Sequence, residues 1–551
     1  MKRILYLIGG IVLSLVIAAG MYFWATSMID SMYAHRSPLV NDPPKAGAPL
    51  GQPATRRVVI ILVDGLRLDT SLDAAIMPTL AQLRSDGASA VMHSRAPSYS
   101  EPSYVAILTG AWPDINDGPS LNLDYGEIFQ TTQDEIFTNA KQAGFTTAIS
   151  GFNWFEELFP QSSFDYAYYT AGEDKVADRA VVNAALPWLD DPTINLVLIH
   201  LDQVDYAGHH EGGGGSSGWN EAANRCDGLI AEILAKLDLA QDTVIVLSDH
   251  GHLNVGGHGG TEQVVTTEPF VIAGKGIRPG VYGNINMVDV APTIASLLGI
   301  SLPASTQGQV LTDMLALPEK TLANLPAAMI NQQTQLVNAY SVAIGVPIPA
   351  GSLDGLNSVS GYQEVMQNLR QTRLSHQRLP AIIICSLLLI GLLALGVIFW
   401  KKQMPWLLLG IVIYGVCFNL LYLFLGHLRY SFSTLSSAMG IIINTALFCL
   451  LAYLPAWLII GLGTKQFTLK PIDAANRSFA LTFTIAGALA IPILIHVALN
   501  GLLVTWALPD FLWMYIGLIS MIQLLMVVIV GLLYTGISVI TASIVRKLRK
   551  S

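Results

Sequence analysis

Apolar residues follow two patterns along this chain, and the two patterns divide it. From residue 4 to 27, and again at about 379–400, 405–427, 436–463, 478–507 and 511–544, they form long runs with almost no charge. Each run matches or exceeds the ~20 residues that cross the hydrocarbon core of a bilayer. Between residues 56 and 312 the apolar stretches are short instead. Arg57–Val63, Phe145–Ile149, Asn195–Leu201, Thr243–Leu247 and Pro269–Ala273 read as buried strands. They alternate with helical stretches near 77–86, 102–109, 134–143, 173–188 and 217–238, the last with Ala222, Cys226, Ile230, Ile233 and Leu234 at helical spacing. This alternation predicts an α/β fold: a mostly parallel sheet with flanking helices, its ligands held beyond the carboxyl ends of the strands.

The expected organisation is a transmembrane anchor at 1–27, a proline- and glycine-rich linker at 28–55 and an α/β globular domain at 56–312. A Gln- and Asn-rich helical stalk at 313–378 and a five-helix transmembrane domain at 379–551 complete it. Charge orients the spans. With all six runs crossing, Lys2 and Arg3, Lys401 and Lys402, Lys465, Lys470 and Arg477, and Arg546, Lys547, Arg549 and Lys550 fall on one side. That side is cytoplasmic by the positive-inside rule, with His427 and Arg429 a minor exception. Both termini are then cytoplasmic and residues 28–378 lie outside. The first run is expected to remain as an anchor, being longer than a signal-peptide core and ending in the interfacial aromatics Tyr22-Phe23-Trp24.

Composition agrees, with 52% hydrophobic and 13% charged residues, and the net charge of −9 argues against nucleic acid as a partner. Of four cysteines, Cys385, Cys417 and Cys449 lie in spans and Cys226 stands alone, so no disulfide framework is available. Asn419, Asn444, His496 and Asn500 are the notable polar groups of the bundle, suited to bonds between helices or to a head-group route.

Acids fall where the sheet would present ligands. Asp64 ends the first strand, Asp202 and Asp205 follow Asn195–Leu201, and Asp249 follows Thr243–Leu247. One such Asp is ordinarily a cap or turn residue. Three from separate strands, accompanied by Gly208-His209-His210, His250 and His258, point to a divalent-metal centre. The segment Ser98-Tyr99-Ser100-Glu101-Pro102-Ser103 supplies an attacking oxygen. Pro102 suits the first turn of a helix, so Ser100 lies at the positive end of its dipole, where metal coordination would activate the hydroxyl. Ser98 and Ser103 are weaker candidates.

Val63-Asp64-Gly65, Ser100-x-Pro102 with Leu108-Thr109-Gly110, Asp205-x-x-Gly208-His209, Ser248-Asp249-His250-Gly251 and His258-Gly259-Gly260 follow one another in the order of the alkaline phosphatase superfamily. The chain resembles its type I phosphodiesterase/nucleotide pyrophosphatase branch over about 56–312, with a membrane architecture similar to the GPI ethanolamine-phosphate transferases. Asp289–Ile300 resembles the helix that closes this catalytic domain. The resemblance implies two divalent ions, zinc being expected although Asp and His would also accept manganese or calcium. One ion would sit on Asp64, Ser100, Asp249 and His250, the other on Asp205, His209 and His258. Asp202 is a fallback ligand, and His210 and His252 are expected to lie outside the ligand set. The maturation motif of the related sulfatases ends in arginine; here Tyr104 stands in its place, which disfavours sulfate esters.

The implied activity is two-metal phosphoryl transfer on phosphodiesters through Ser100, first as a hydrolase of the phosphodiesterase/nucleotide pyrophosphatase type. The alternative is a phosphoethanolamine transferase moving a lipid head group to a glycan or lipid acceptor. A transporter or scaffold with an inactive domain is the reading of another class, and the full ligand set speaks against it. The expected partners are a phosphodiester or phospholipid head group and membrane lipids. Asn153 and Trp154, in the aromatic-acidic loop 151–159, are candidate substrate-binding residues, and the Gly-rich loop 212–218 reads as a lid or hinge.

Overall fold

The computed structural model describes residues 2–434 and 438–549, and these form two units. One comprises Met32–Leu374 with Thr505–Leu508. It is built on eight strands: β1 (Arg57–Val63), β2 (Ala88–His93), β3 (Thr146–Phe152), β4 (Tyr166–Thr170), β5 (Ile194–Leu201), β6 (Asp242–Leu247), β7 (Thr267–Gly274) and β8 (Gly280–Asn286). Their order across the sheet is β4-β3-β5-β1-β6-β7-β2-β8. Pairing is parallel from β4 through β6, and β7 runs antiparallel to both neighbours. The expected α/β class with a mostly parallel sheet is thus the observed one.

β1 shows why the run looked uniformly apolar. Val58, Ile60 and Leu62 point into one core cluster with Tyr104, Phe155 and Ile294, whereas Val59, Ile61 and Val63 enter a second with Trp219, Cys226 and Val197. Helices cover both faces, so both sets of alternating side chains need to be apolar. The register pairs Val63 with Leu201 and Leu62 with Leu247, so β5, β1 and β6 end together.

The three strands not expected were β2, β4 and β8. β4 and β8 are the edge strands, largely exposed, and carry Tyr or Gly where a buried strand would carry branched aliphatics. Residues 313–374, expected to form a stalk, belong to this same unit. The helix Glu319–Ile344 buries Leu336, Val337 and Tyr340 with Tyr362, Met366 and Leu369 of the next helix, Val359–Trp400.

Among the described residues six helices are long and apolar enough to cross a membrane, and they supply most of the other unit, the second of them beginning within the first unit: Leu7–Tyr33, Val359–Gly391, Met404–Leu425, Met439–Gly463, Pro471–Asn500 and Phe511–Leu548. The first helix continues to Tyr33, beyond the expected anchor end at 27. The beginning of the run expected at 436 lies outside the described residues. Asn419 is satisfied locally, donating to the Gly415 carbonyl and accepting from Tyr430, while Asn500 bonds His496 and the Asp510 backbone.

Candidate active site

Strand ends position the site. Asp64 follows β1 and donates its backbone N–H to Leu201 of β5 at 2.8 Å. Asp249 lies two residues past β6, its Oδ1 accepting the Gly65 N–H at 3.1 Å. Asp205 and His209 sit one turn apart on the helix Gln203–His210 that follows β5. His250, His252 and His258 come from the loop after β6. Ser100 is the first residue of the helix Ser100–Thr109, which begins two residues before the start expected at 102.

These residues meet. Ser100 Oγ is 3.1 Å from His250 Nε2, which lies 3.4 Å from Asp64 Oδ1 and 3.3 Å from Asp249 Oδ2. On the other side, His209 Nε2 is 3.1 Å from His258 Nε2 and 3.5 Å from Asp205 Oδ2. Donor atoms of Asp64, Asp205 and His250 lie within 4.8 Å of one another, as do those of Asp205, His209, His252 and His258. Asp205 is common to both groups.

Hydrogen-bond direction sorts the imidazoles. His250 donates Nδ1–H to the Gly251 carbonyl and His258 donates Nδ1–H to the Ser98 carbonyl, so each neutral ring keeps a lone pair on Nε2, facing the cluster. His252 is reversed. Its Nδ1 accepts the Gly257 N–H at 3.0 Å, which leaves the proton on Nε2, donated to Asp205 Oδ1 at 2.6 Å. His252 is fully buried and therefore orients Asp205, while His210 is exposed. Ser98 clamps the loop, donating to Gly260 and accepting from Gly259.

The donor set fits divalent cations. Asp64 Oδ1 and Asp249 Oδ2 are buried without a hydrogen-bond partner. Burial, then the nearby charge of Asp205, pushes the Asp64 carboxyl well above the usual range, and burial with the Asp64 charge does the same to Asp249. Such oxygens need a positive charge to ionise. Asp205 is the opposite: burial pushes its carboxyl up, but His252, His209 and His258 together hold it well below.

A cavity of about 140 Å³ opens onto the cluster. It is lined by Ser100, Asp64, Asp205, His209 and His258 together with Tyr104, Asn122, Phe152, Trp154, Glu173 and Asp202. Trp154 thus faces it as expected, whereas Asn153 does not line it. Four participants were invisible in the sequence. Tyr104 donates to Asp64 Oδ2, and His200 Nε2 lies 2.9 Å from the Tyr104 hydroxyl and 3.1 Å from Asp64 Oδ2. Burial lowers the His200 imidazole to about 4, keeping it neutral. Asn122 Oδ1 accepts the Glu101 N–H, which leaves its NH₂ group for the cavity. Glu173 follows β4, one of the unexpected strands.

The loop read as a lid packs tightly instead: Gly214 N–H donates to Leu253, and a Cβ on Gly213, at φ +84°, would lie 2.3 Å from the Asn254 oxygen. Only glycine permits that approach.

Residues 58–320 match the profile of the type I phosphodiesterase / nucleotide pyrophosphatase family. The chain is 23% identical over 324 residues to GPI ethanolamine phosphate transferase 3, catalytic subunit, of Mus musculus, a match covering 52% of this chain and 29% of that protein. It is 25% identical over 293 residues to the Homo sapiens GPI ethanolamine phosphate transferase 2, catalytic subunit, covering 49% and 29%. The chain thus spans under a third of the length of these two curated relatives. Among solved structures, murine ectonucleotide pyrophosphatase / phosphodiesterase 5 superposes with a TM-score of 0.40 at 14% identity, over 47% of this chain and 100% of that one. A protein in the alkaline phosphatase superfamily from Vibrio parahaemolyticus gives 0.38 at 20%, over 53% and 79%. The family profile and the curated relatives bear out the resemblance drawn from the motif order, and those relatives carry the transferase name rather than that of a hydrolase.

Proposed function

We propose that the chain is a membrane-embedded phosphoethanolamine transferase, the reading first held as the alternative, with Ser100 as its nucleophile. The observation that carries it is the convergence of Ser100 Oγ, His250 Nε2 and the unpartnered oxygens of Asp64 and Asp249 at one point, with Asp205, His209 and His258 alongside. Asp64, Ser100, Asp249 and His250 would hold one divalent ion and Asp205, His209 and His258 a second, zinc suiting both sets. When bound, these ions lower the pKa of the serine hydroxyl and offset negative charge on the phosphoryl oxygens.

The protein's own groups do the rest. Ser100 Oγ attacks the phosphorus of the head-group diester, an Oγ–P bond forms, and the P–O bond to the lipid alcohol breaks, that oxygen taking a proton. An acceptor hydroxyl then attacks the phosphorus of the phosphoethanolamine held on Ser100, its O–P bond forms as the Oγ–P bond breaks, and Oγ takes a proton to restore the Ser100 hydroxyl. Asn122, held by Glu101 N–H, offers its NH₂ to a phosphoryl oxygen. Tyr104 and His200 fix Asp64, and His252 fixes Asp205. The basic clusters between spans support placing this chemistry on the non-cytoplasmic side.

The test uses purified protein in phosphatidylethanolamine vesicles. A transferase releases diacylglycerol in proportion to added glycan acceptor; a hydrolase releases it without acceptor, together with free phosphoethanolamine. Ser100→Ala is expected to abolish both, and a fully active Ser100→Ala protein removes the nucleophile assigned here.

A further inference from the structure

One buried carboxylate in the cavity has no work in the scheme above. Asp202 is 8% exposed, lines the cavity, and has no side-chain hydrogen bond or ion pair among the described residues. Its position makes this unusual. Asp202 is the N-cap of the helix Gln203–His210, where an Asp side chain would ordinarily accept the free backbone N–H groups, yet it makes no such bond. Asp178 supplies the cap instead, its carboxylate accepting from Asp202 N–H at 2.8 Å, from Gln203 N–H at 3.3 Å and from Gln203 Nε2 at 2.9 Å. With the helix end satisfied by one carboxylate, the other is free to face the cavity. Glu173, at the exposed rim, is a second cavity carboxylate with no hydrogen bond or ion pair among the described residues.

Carboxylates beyond those a metal pair would neutralise repel a phosphodiester anion. They favour one whose other end is positive. The aromatic rings of Phe152 and Trp154, packed edge to face at 4.9 Å, line the same cavity and attract a cation to their faces. We infer that Asp202, with Glu173 and the Phe152/Trp154 pair, forms a subsite for the ammonium group of a zwitterionic head group whose phosphate lies against Ser100. This deepens the transferase reading and rests on it; it assigns the residues that select an amine-bearing head group over a neutral one.

The experiment compares p-nitrophenyl phosphoethanolamine with p-nitrophenyl ethyl phosphate, which lacks the amine. Wild type is expected to prefer the amine ester in kcat/KM by tenfold or more. Asp202→Asn is expected to collapse that ratio, Asp202→Asn/Glu173→Gln to abolish it, and Asp202→Glu to restore much of it. Calorimetric binding of phosphoethanolamine, against ethyl phosphate, should weaken in parallel, with metal content unchanged. Equal wild-type activity on both esters, or a ratio untouched by Asp202→Asn, overturns the subsite while leaving phosphoryl transfer standing. Cleavage of neither ester overturns the enzymatic reading and the subsite with it. Loss of metal in Asp202→Asn makes Asp202 a metal ligand and likewise overturns the subsite. If Asp202→Asn does not fold, Glu173→Gln alone, at the exposed rim, is read by the same ratio.

Discussion

Gly208→Ala sets two well-understood effects against each other. Gly208 lies inside the helix Gln203–His210, where alanine is ordinarily the better residue by roughly 0.8–1 kcal/mol. A Cβ placed there, however, would lie 2.7 Å from both Cε1 and Nε2 of His252 and 2.8 Å from its Cδ2. Ordinary contact requires the ring to retreat by about 0.7 Å. His252 is fully buried, with Trp219 ring-to-ring at 5.4 Å and the Gly257 N–H fixing its far side, so it has little room. Overpacking of this kind costs about 1–3 kcal/mol, which outweighs the helical gain. The same retreat stretches the 2.6 Å bond from His252 Nε2 to Asp205 Oδ1 to roughly 3.3 Å, which leaves a short, strong hydrogen bond long and weak. Asp205 then loses its orientation, and a ligand displaced by most of an ångström costs on the order of 100-fold in rate. Thermal melts and kcat on p-nitrophenyl phosphoethanolamine read the two effects separately. A Gly208→Ala protein that is more stable and fully active would show that His252 does not position Asp205.

Tyr104→Phe removes the hydroxyl that donates to Asp64 but keeps the ring stacked on Phe155 at 4.6 Å. Activity should fall about tenfold and stability by about 1.5–3 kcal/mol, the range for a hydrogen bond to a charged group; an unchanged melt and rate contradict this. Asp289→Asn tests a pH linkage. Burial pushes the Asp289 carboxyl up to about 6 from 3.8, so the neutral form is favoured in the folded state. Its contribution is fully present below 3.8 and is lost as pH rises through about 6, amounting to on the order of 3 kcal/mol. The wild type should therefore lose stability relative to Asp289→Asn between pH 4 and 6, and parallel Tm curves would refute the shift. Chelation should abolish activity and lower Tm, with zinc restoring both; a metal-free protein with full activity contradicts the ligand assignment.

The parts of this structure legible in the sequence are those where one physical signal acts alone. β1, β5 and β6 are buried on both faces, so their apolar runs are unbroken, and each is followed by the acid that the sheet edge presents. The edge strands β4 and β8 carry no such signal, because an exposed strand has no need of apolar side chains. His200 and Tyr104 were unreadable for a different reason. Each looks like an ordinary core residue until the packing of β5 against the Ser100–Thr109 helix brings both to Asp64. His252 is expected outside the ligand set, but its hold on Asp205 is not readable from spacing, since which ring nitrogen carries the proton is decided by Gly257. Asp202 occupies a helix N-cap position, and only the competing carboxylate of Asp178 shows that its side chain does not do the capping.

The sheet itself behaves as a ruler. β5, β1 and β6 are immediate neighbours, and hydrogen-bonded strands keep a separation of about 4.8 Å whatever side chains they bear. Asp64, Asp249 and the start of the helix that carries Asp205 inherit that spacing from backbone geometry, so the interval between them tolerates wide drift elsewhere in the chain. Trp154 and Glu173 are hung from β3 and β4, off the graduated part of the scale. The segments proposed to hold the head-group amine can therefore be exchanged while the spacing of the acid cluster stays as it is.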